Sequence, residues 1–92
     1  MLTLKTTEQF RKDYKLLKKR GYNLDLVEEV LQVLLEEKPL AEKHRDHALA
    51  GNYTGFRECH ILPDWLLIYR IDSGMLLPVA SRNGTHADLF NK

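Results

Sequence analysis

The chain has 92 residues, a formal net charge of +1, 43% hydrophobic and 29% charged residues. That length supports one domain over residues 1–92 with a single modest core, and the composition excludes a disordered or low-complexity chain. One cysteine excludes an internal disulfide, and no apolar run has the length of a membrane span or the place of a secretory signal, so a cytoplasmic protein without a membrane partner is expected. The charge is unevenly placed. Residues 1–22 carry seven Lys or Arg against two acids, residues 23–43 carry six acids against two bases, and residues 44–92 carry five of each.

Leu2 and Leu4 alternate with Thr3 and Lys5 as a short strand. Thr6, with Gln9 three residues on, has capping-box spacing and predicts a helix start. Phe10, Tyr14 and Leu17 then recur at helical spacing as a buried stripe, while Arg11, Lys15 and Lys18 share a basic face. On charge alone that face reads as solvated. Gly21 is the stop signal, and Asn23 caps a second helix with Val27, Val30, Leu31 and Leu34 inward, ending near Lys38 because Pro39 disfavours helix before it. The short link between the helices predicts an antiparallel helical hairpin.

Residues 38–53 lose periodicity and read as a long connecting loop carrying His44 and His47. Strands are predicted at 56–61 and 65–71, joined by a Pro63-Asp64 turn, and at 75–81, reached through Asp72-Ser73-Gly74. Pro78 requires the third strand to lie at an edge, to bulge, or to be short. Within 65–71, Trp65, Leu67, Tyr69 and Ile71 share one face and Leu66, Ile68 and Arg70 the other; both are largely apolar, the mark of a central strand. The tail opens with the turn dipeptide Asn83-Gly84 and has room for one helical turn from Thr85. The order predicts an α+β domain: an N-terminal strand and helical hairpin packed on a mainly antiparallel sheet, with a short C-terminal helical turn.

Four histidines supply side chains that titrate near neutral pH. His47, His60, Asp64 and His86 all fall at strand ends or connections, where they can converge, whereas His44 reads as an exposed loop residue. Metal binding rests on the spacing of His44 and His47, because Cys59 and His60 are adjacent on a strand and point to opposite faces. Cys59 reads as a small core residue. The other chemistry is acid-base catalysis on a phosphodiester: a base takes the ribose 2′-hydroxyl proton, an acid protonates the leaving oxygen, and cations stabilise the phosphorane. Arg82, four residues from His86, is the candidate for the phosphate. Trp65 and Phe90 are either stacking surfaces for unpaired bases or core.

The runs Asp46-His47-Ala48-Leu49-Ala50-Gly51, Gly55-Phe56-Arg57-Glu58-Cys59-His60-Ile61-Leu62-Pro63-Asp64-Trp65-Leu66-Leu67-Ile68-Tyr69 and Arg82-Asn83-Gly84-Thr85-His86 with Leu89-Phe90 resemble the YafQ-type toxins of bacterial toxin-antitoxin systems, in the RelE/ParE superfamily. The resemblance covers the C-terminal half by motif and the N-terminal half by its strand and helical hairpin. It implies a RelE-like fold and a ribosome-dependent mRNA interferase, an endoribonuclease that cuts messenger RNA in the A site of the 70S ribosome and needs no metal or other cofactor. It also implies a cognate antitoxin, in a heterotetrameric complex, and a monomeric free toxin. By motif the catalytic residues fall on His47, His60, Asp64 and His86, with Arg82, Trp65 and Phe90 binding substrate. Asn83, where the family usually has threonine, and Pro78 depart from the pattern. In this setting the basic face of Arg11, Lys15 and Lys18 is expected to grip ribosomal RNA. The alternative is a ParE-like toxin that acts by binding a protein target without catalysis.

Overall fold

The computed structural model describes residues 1–83, so the Thr85 turn, His86 and Phe90 lie outside the described residues. The elements are β1 (Thr3–Leu4), α1 (Glu8–Lys19), α2 (Asp25–Leu35), β2 (His47–Ala48), β3 (Arg57–Leu62), β4 (Trp65–Asp72) and β5 (Met75–Asn83), with 3-10 turns at Glu42–His44 and Gly51–Tyr53. They form an α+β fold, with five strands in the order β1-β5-β4-β3-β2. β1 runs parallel to β5 and every other pair is antiparallel. The helical hairpin covers one face, where Phe10, Leu17, Val27, Val30, Leu31 and Leu34 bury against Cys59, Ile61, Trp65, Leu67, Tyr69 and Leu76. On the other face Leu66 and Ile68 make a smaller cluster with Leu49, Phe56, Val79 and Ala80.

The cap of α1 differs from the predicted one by a residue. Thr7, not Thr6, has extended backbone and accepts the Phe10 N–H at 3.0 Å. Its hydroxyl also stands 3.2 Å from the carbonyls of Pro78 and Val79, so a contact more than 70 residues away selects between two adjacent threonines. Gln9, expected to close the capping box, instead donates to Asp13 Oδ1 at 2.9 Å. The helix stops at Gly21, whose φ of +80° allows the Gly21 and Tyr22 N–H groups to turn back to the carbonyls of Lys18 and Leu17.

Asn23 lies one residue ahead of the position expected for the cap of α2: Leu24, directly before Asp25, already has helical backbone and its own side chain makes no cap bond, while Asn23 Oδ1 accepts the Asp25 N–H at 3.1 Å. The helix ends at Leu35, three residues before the predicted stop. Glu37 takes φ +58°, and the N–H groups of Glu37 and Lys38 return to the carbonyls of Leu34 and Val33. This is the same closing motif as at Gly21, built without glycine. The Leu35 carbonyl is taken by the Leu2 N–H at 2.8 Å, which ties the chain start to the helix end.

Ser73 and Gly74, both with positive φ, form the two-residue turn that pairs Asp72 with Met75. Pro78 resolves to a bulge: the β4–β5 register steps from Ile68–Ala80 to Tyr69–Pro78 and leaves Val79 over. β5 is not an edge strand, yet β1 pairs with it only at Met75 and Leu76. Beyond that point α1 supplies side-chain partners, Thr7 at the bulge and Asp13, whose Oδ2 accepts the Ser81 N–H at 3.0 Å. Thr7→Ala is therefore expected to lower the unfolding free energy by about 1–2 kcal/mol and Thr6→Ala by less than about 0.5 kcal/mol. Urea unfolding of the two variants measures this, and equal losses would contradict the cap assignment.

Candidate active site

The strand register assembles the site. One cross-strand row runs His47, Glu58, Ile68, Ala80, and the next runs His60, Leu66, Arg82. Directly opposed residues share a face, and Leu66 and Ile68 are on the face away from the helices, so His47, Glu58 and His60 gather there. The predicted loop contributes by forming β2, a two-residue strand that sets His47 opposite Glu58.

Each of the two histidine rings on this face, His47 and His60, is oriented by a backbone carbonyl. His47 Nδ1 donates to the Arg45 carbonyl at 2.7 Å, and its Nε2 faces Glu58 Oε1 at 3.3 Å. Glu58 is 1% exposed, and a carboxylate so buried is costly without compensating donors; a protonated His47 supplies one. His60 Nδ1 donates to the Pro63 carbonyl at 3.0 Å, which leaves Nε2 of the neutral ring as a proton acceptor. Asp64 is exposed at the tip of the β3–β4 hairpin, next to the carbonyl that His60 holds. Sequence reasoning passed over Glu58, although an acid two residues from a histidine on a strand shares its face, which is the signal that finds it.

The loop carrying His47 is locked from the opposite face of the sheet. Asp46 receives the Tyr69 hydroxyl and two Arg57 nitrogens, Nε at 3.4 Å and Nη2 at 3.2 Å, and Arg57 Nε also lies 3.3 Å from the Tyr69 oxygen. Asp46 and then Tyr69 hold the Arg57 guanidinium more firmly protonated than usual. Burial, then the hydrogen bond to Asp46, raises the Tyr69 phenol. Beside them burial first, then the charges of Asp46 and Glu58, pushes the Cys59 thiol up to about 12, which removes it as a nucleophile.

Other sequence-predicted residues fall elsewhere. Trp65 is 1% exposed, packs edge-on against Tyr22 at 5.0 Å and donates Nε1–H to Ser81 Oγ at 3.1 Å. Of its two expected roles the structure selects core, because Trp65 alternates onto the helix-covered face. Arg11, Lys15 and Lys18 are exposed on α1, on the helix-covered side of the sheet, opposite the face that carries His47 and His60. Arg11 Nη1 donates to the Thr6 carbonyl and hydroxyl, and with Lys15 it flanks a groove between the helices lined by Leu4, Phe10, Tyr14 and Leu31. Across that groove Tyr14 donates to Glu28 at 2.6 Å, and this bond pushes its phenol up to about 12. His44 and His47 bond to different carbonyls, and among the described residues no three His, Cys, Asp or Glu side chains are grouped to hold a metal.

Comparison with known proteins defines the class first. Residues 2–91 match the family model described as bacterial toxin of type II toxin-antitoxin system, YafQ. The mRNA interferase toxin YafQ of Escherichia coli K12 is 37% identical over 83 residues, covering 89% of this chain and 88% of that protein. A metal-bound toxin from Helicobacter pylori superposes with a TM-score of 0.88 at 44% identity, over 98% of this chain and 100% of that one. The E. coli DinJ-YafQ toxin-antitoxin complex gives 0.83 at 33% identity, over 97% of each chain. The chain belongs to the YafQ family.

Two outcomes check this geometry. Tyr69→Phe removes a buried donor to a carboxylate and is expected to cost about 1.5–3 kcal/mol in urea unfolding; a neutral effect would contradict the clamp on Asp46. Cys59 is expected to resist a thiol reagent at mildly alkaline pH in the folded protein and to react completely in denaturant, whereas rapid reaction in the folded state would contradict its burial.

Proposed function

We propose that this chain, a YafQ-family mRNA interferase toxin and so an endoribonuclease, cuts messenger RNA in the ribosomal A site by side-chain acid-base catalysis through the RNA 2′-hydroxyl. In the reaction the 2′-oxygen loses its proton and bonds to phosphorus, and the 5′-oxygen of the next nucleotide leaves with a proton from an acid. The products are a 2′,3′-cyclic phosphate and a free 5′-hydroxyl.

The observation that carries the reading is the cluster of His47, Glu58 and His60 in two adjacent cross-strand rows on the uncovered face, with each ring's Nδ1 turned to a backbone carbonyl. His60 Nε2 is set up to accept a proton. His47, whose Nε2 lies 3.3 Å from Glu58 Oε1, is the second imidazole on this face and assists at phosphorus. Arg82, whose register position is opposite Leu66, is the proposed cation for the phosphate. Asp64 and His86 complete the proton transfers, and Phe90 stacks on an unpaired base.

The basic side of α1, with Arg11, Lys15 and Lys18, is the proposed contact to ribosomal RNA, weakening as salt rises. A relative's structure is a DinJ-YafQ toxin-antitoxin complex, which supports a cognate antitoxin as this chain's partner. A heterotetramer with that antitoxin, a monomeric free toxin and a cytoplasmic location complete the proposal. No helix among the described residues is long and apolar enough to cross a membrane.

His60→Ala and His86→Ala are each expected to slow cleavage of a translated message on ribosomes by about 10²-fold or more. Unchanged cutting by both variants would overturn the catalytic assignment. Growth arrest by the unsubstituted protein without any cleavage would identify a toxin that binds a protein target instead.

A further inference from the structure

We infer that His44 is a positioning residue for His60, a role that rests on the proposed catalytic use of His60. The Glu42–His44 turn packs on β3, and His44, half-buried, donates its Nδ1–H to the His60 carbonyl at 2.7 Å. The acceptor lies where the β3–β4 register shifts between His60 and Leu62, a bulge that interrupts the regular ladder. Bulges turn the side chains they carry, and an interrupted ladder leaves a peptide unit to be fixed by other means. His44 fixes it from outside the sheet. The bond needs only Nδ1–H, which is present in the imidazolium and in one neutral tautomer, so it persists whether or not His44 is charged.

The consequence reaches the reacting atom through two successive hydrogen bonds. His44 holds the His60 peptide, which sets the direction of the His60 side chain, and the His60 ring then reaches the Pro63 carbonyl at 3.0 Å. That second bond keeps the proton on Nδ1 and the lone pair on Nε2. When the first bond is lost the peptide can rotate, the ring leaves Pro63, and His60 populates both tautomers. His44 touches no substrate in this scheme; it secures the tautomer of a residue that does.

The test uses the full chain labelled with 15N at histidine, in His44→Asn, His44→Phe and His44→Ala forms. Asparagine places an amide N–H close to the position of imidazole Nδ1, phenylalanine fills the space without a donor, and backbone NMR spectra confirm that each variant is folded. The expected result is an unprotonated His60 Nε2 in the parent and in His44→Asn, and tautomer-averaged His60 signals in His44→Phe and His44→Ala. Cleavage on ribosomes should fall about tenfold in the two donorless variants, the scale on which orienting partners act on the groups they hold, and recover in His44→Asn. A His60 tautomer unchanged in His44→Phe, or His44→Asn as impaired as His44→Phe, would overturn the proposal. Full-rate cleavage by His60→Ala would instead overturn the catalytic use of His60, and the tautomer signals would still decide whether His44 positions the ring.

Discussion

The structure depends on a strand that is buried on both faces. Along β4, Trp65, Leu67 and Tyr69 point to the helical hairpin while Leu66 and Ile68 point away, and all five are buried. Because side chains alternate with period two, a slip of one residue would send the indole and phenol to the wrong side, so the register is strongly specified. The Ser73-Gly74 turn fixes it on one flank and the Pro63-Asp64 turn on the other. Once the β4 register is set, the cross-strand rows follow, and His47, Glu58 and His60 have no other face to occupy. The site is thus a consequence of how the core is patterned.

The two faces are also coupled chemically. Asp46 is clamped by Arg57 and Tyr69, while its chain neighbour His47 meets Glu58. Ser81 receives Trp65 on its hydroxyl and offers its N–H to Asp13, which fixes the backbone one residue before Arg82. Polar groups buried in this way are costly when left unpaired, so each one demands a particular partner geometry. The cost of satisfying them is what makes the loop and the end of β5 precise enough for chemistry.

Much of the fold was legible because it is written in local patterns. The stripes of Phe10, Leu17, Val27, Val30, Leu31 and Leu34, the alternation of β4 and the turn residues each reflect a period or a dihedral preference that one segment carries alone. What was hidden is non-local. The choice of Thr7 over Thr6 depends on a carbonyl in β5, the Leu35 carbonyl at the end of α2 is taken by the Leu2 N–H, and the parallel pairing of β1 joins the two ends of the described chain. The candidate site divides in the same way. Residue type and strand-end position point to His47, His60 and Asp64 as candidates, whereas the cross-strand pairing of Glu58 with His47 and the bond from His44 to a carbonyl sixteen residues away are non-local and leave no mark in either segment alone. Trp65 stayed ambiguous because an aromatic beside a turn suits a base or a core equally, and only the helix packing above it decides.

The central claim is that RNA is processed on the face of the sheet opposite the helices. The most direct measurement is a structure of this toxin on a ribosome whose message carries a 2′-O-methyl group at the scissile nucleotide, so that it binds without being cut. The account predicts the scissile phosphate over the cluster of His47, Glu58 and His60, with α1 turned toward ribosomal RNA. A message lying instead in the groove between α1 and α2, with the histidine face unoccupied, would contradict it.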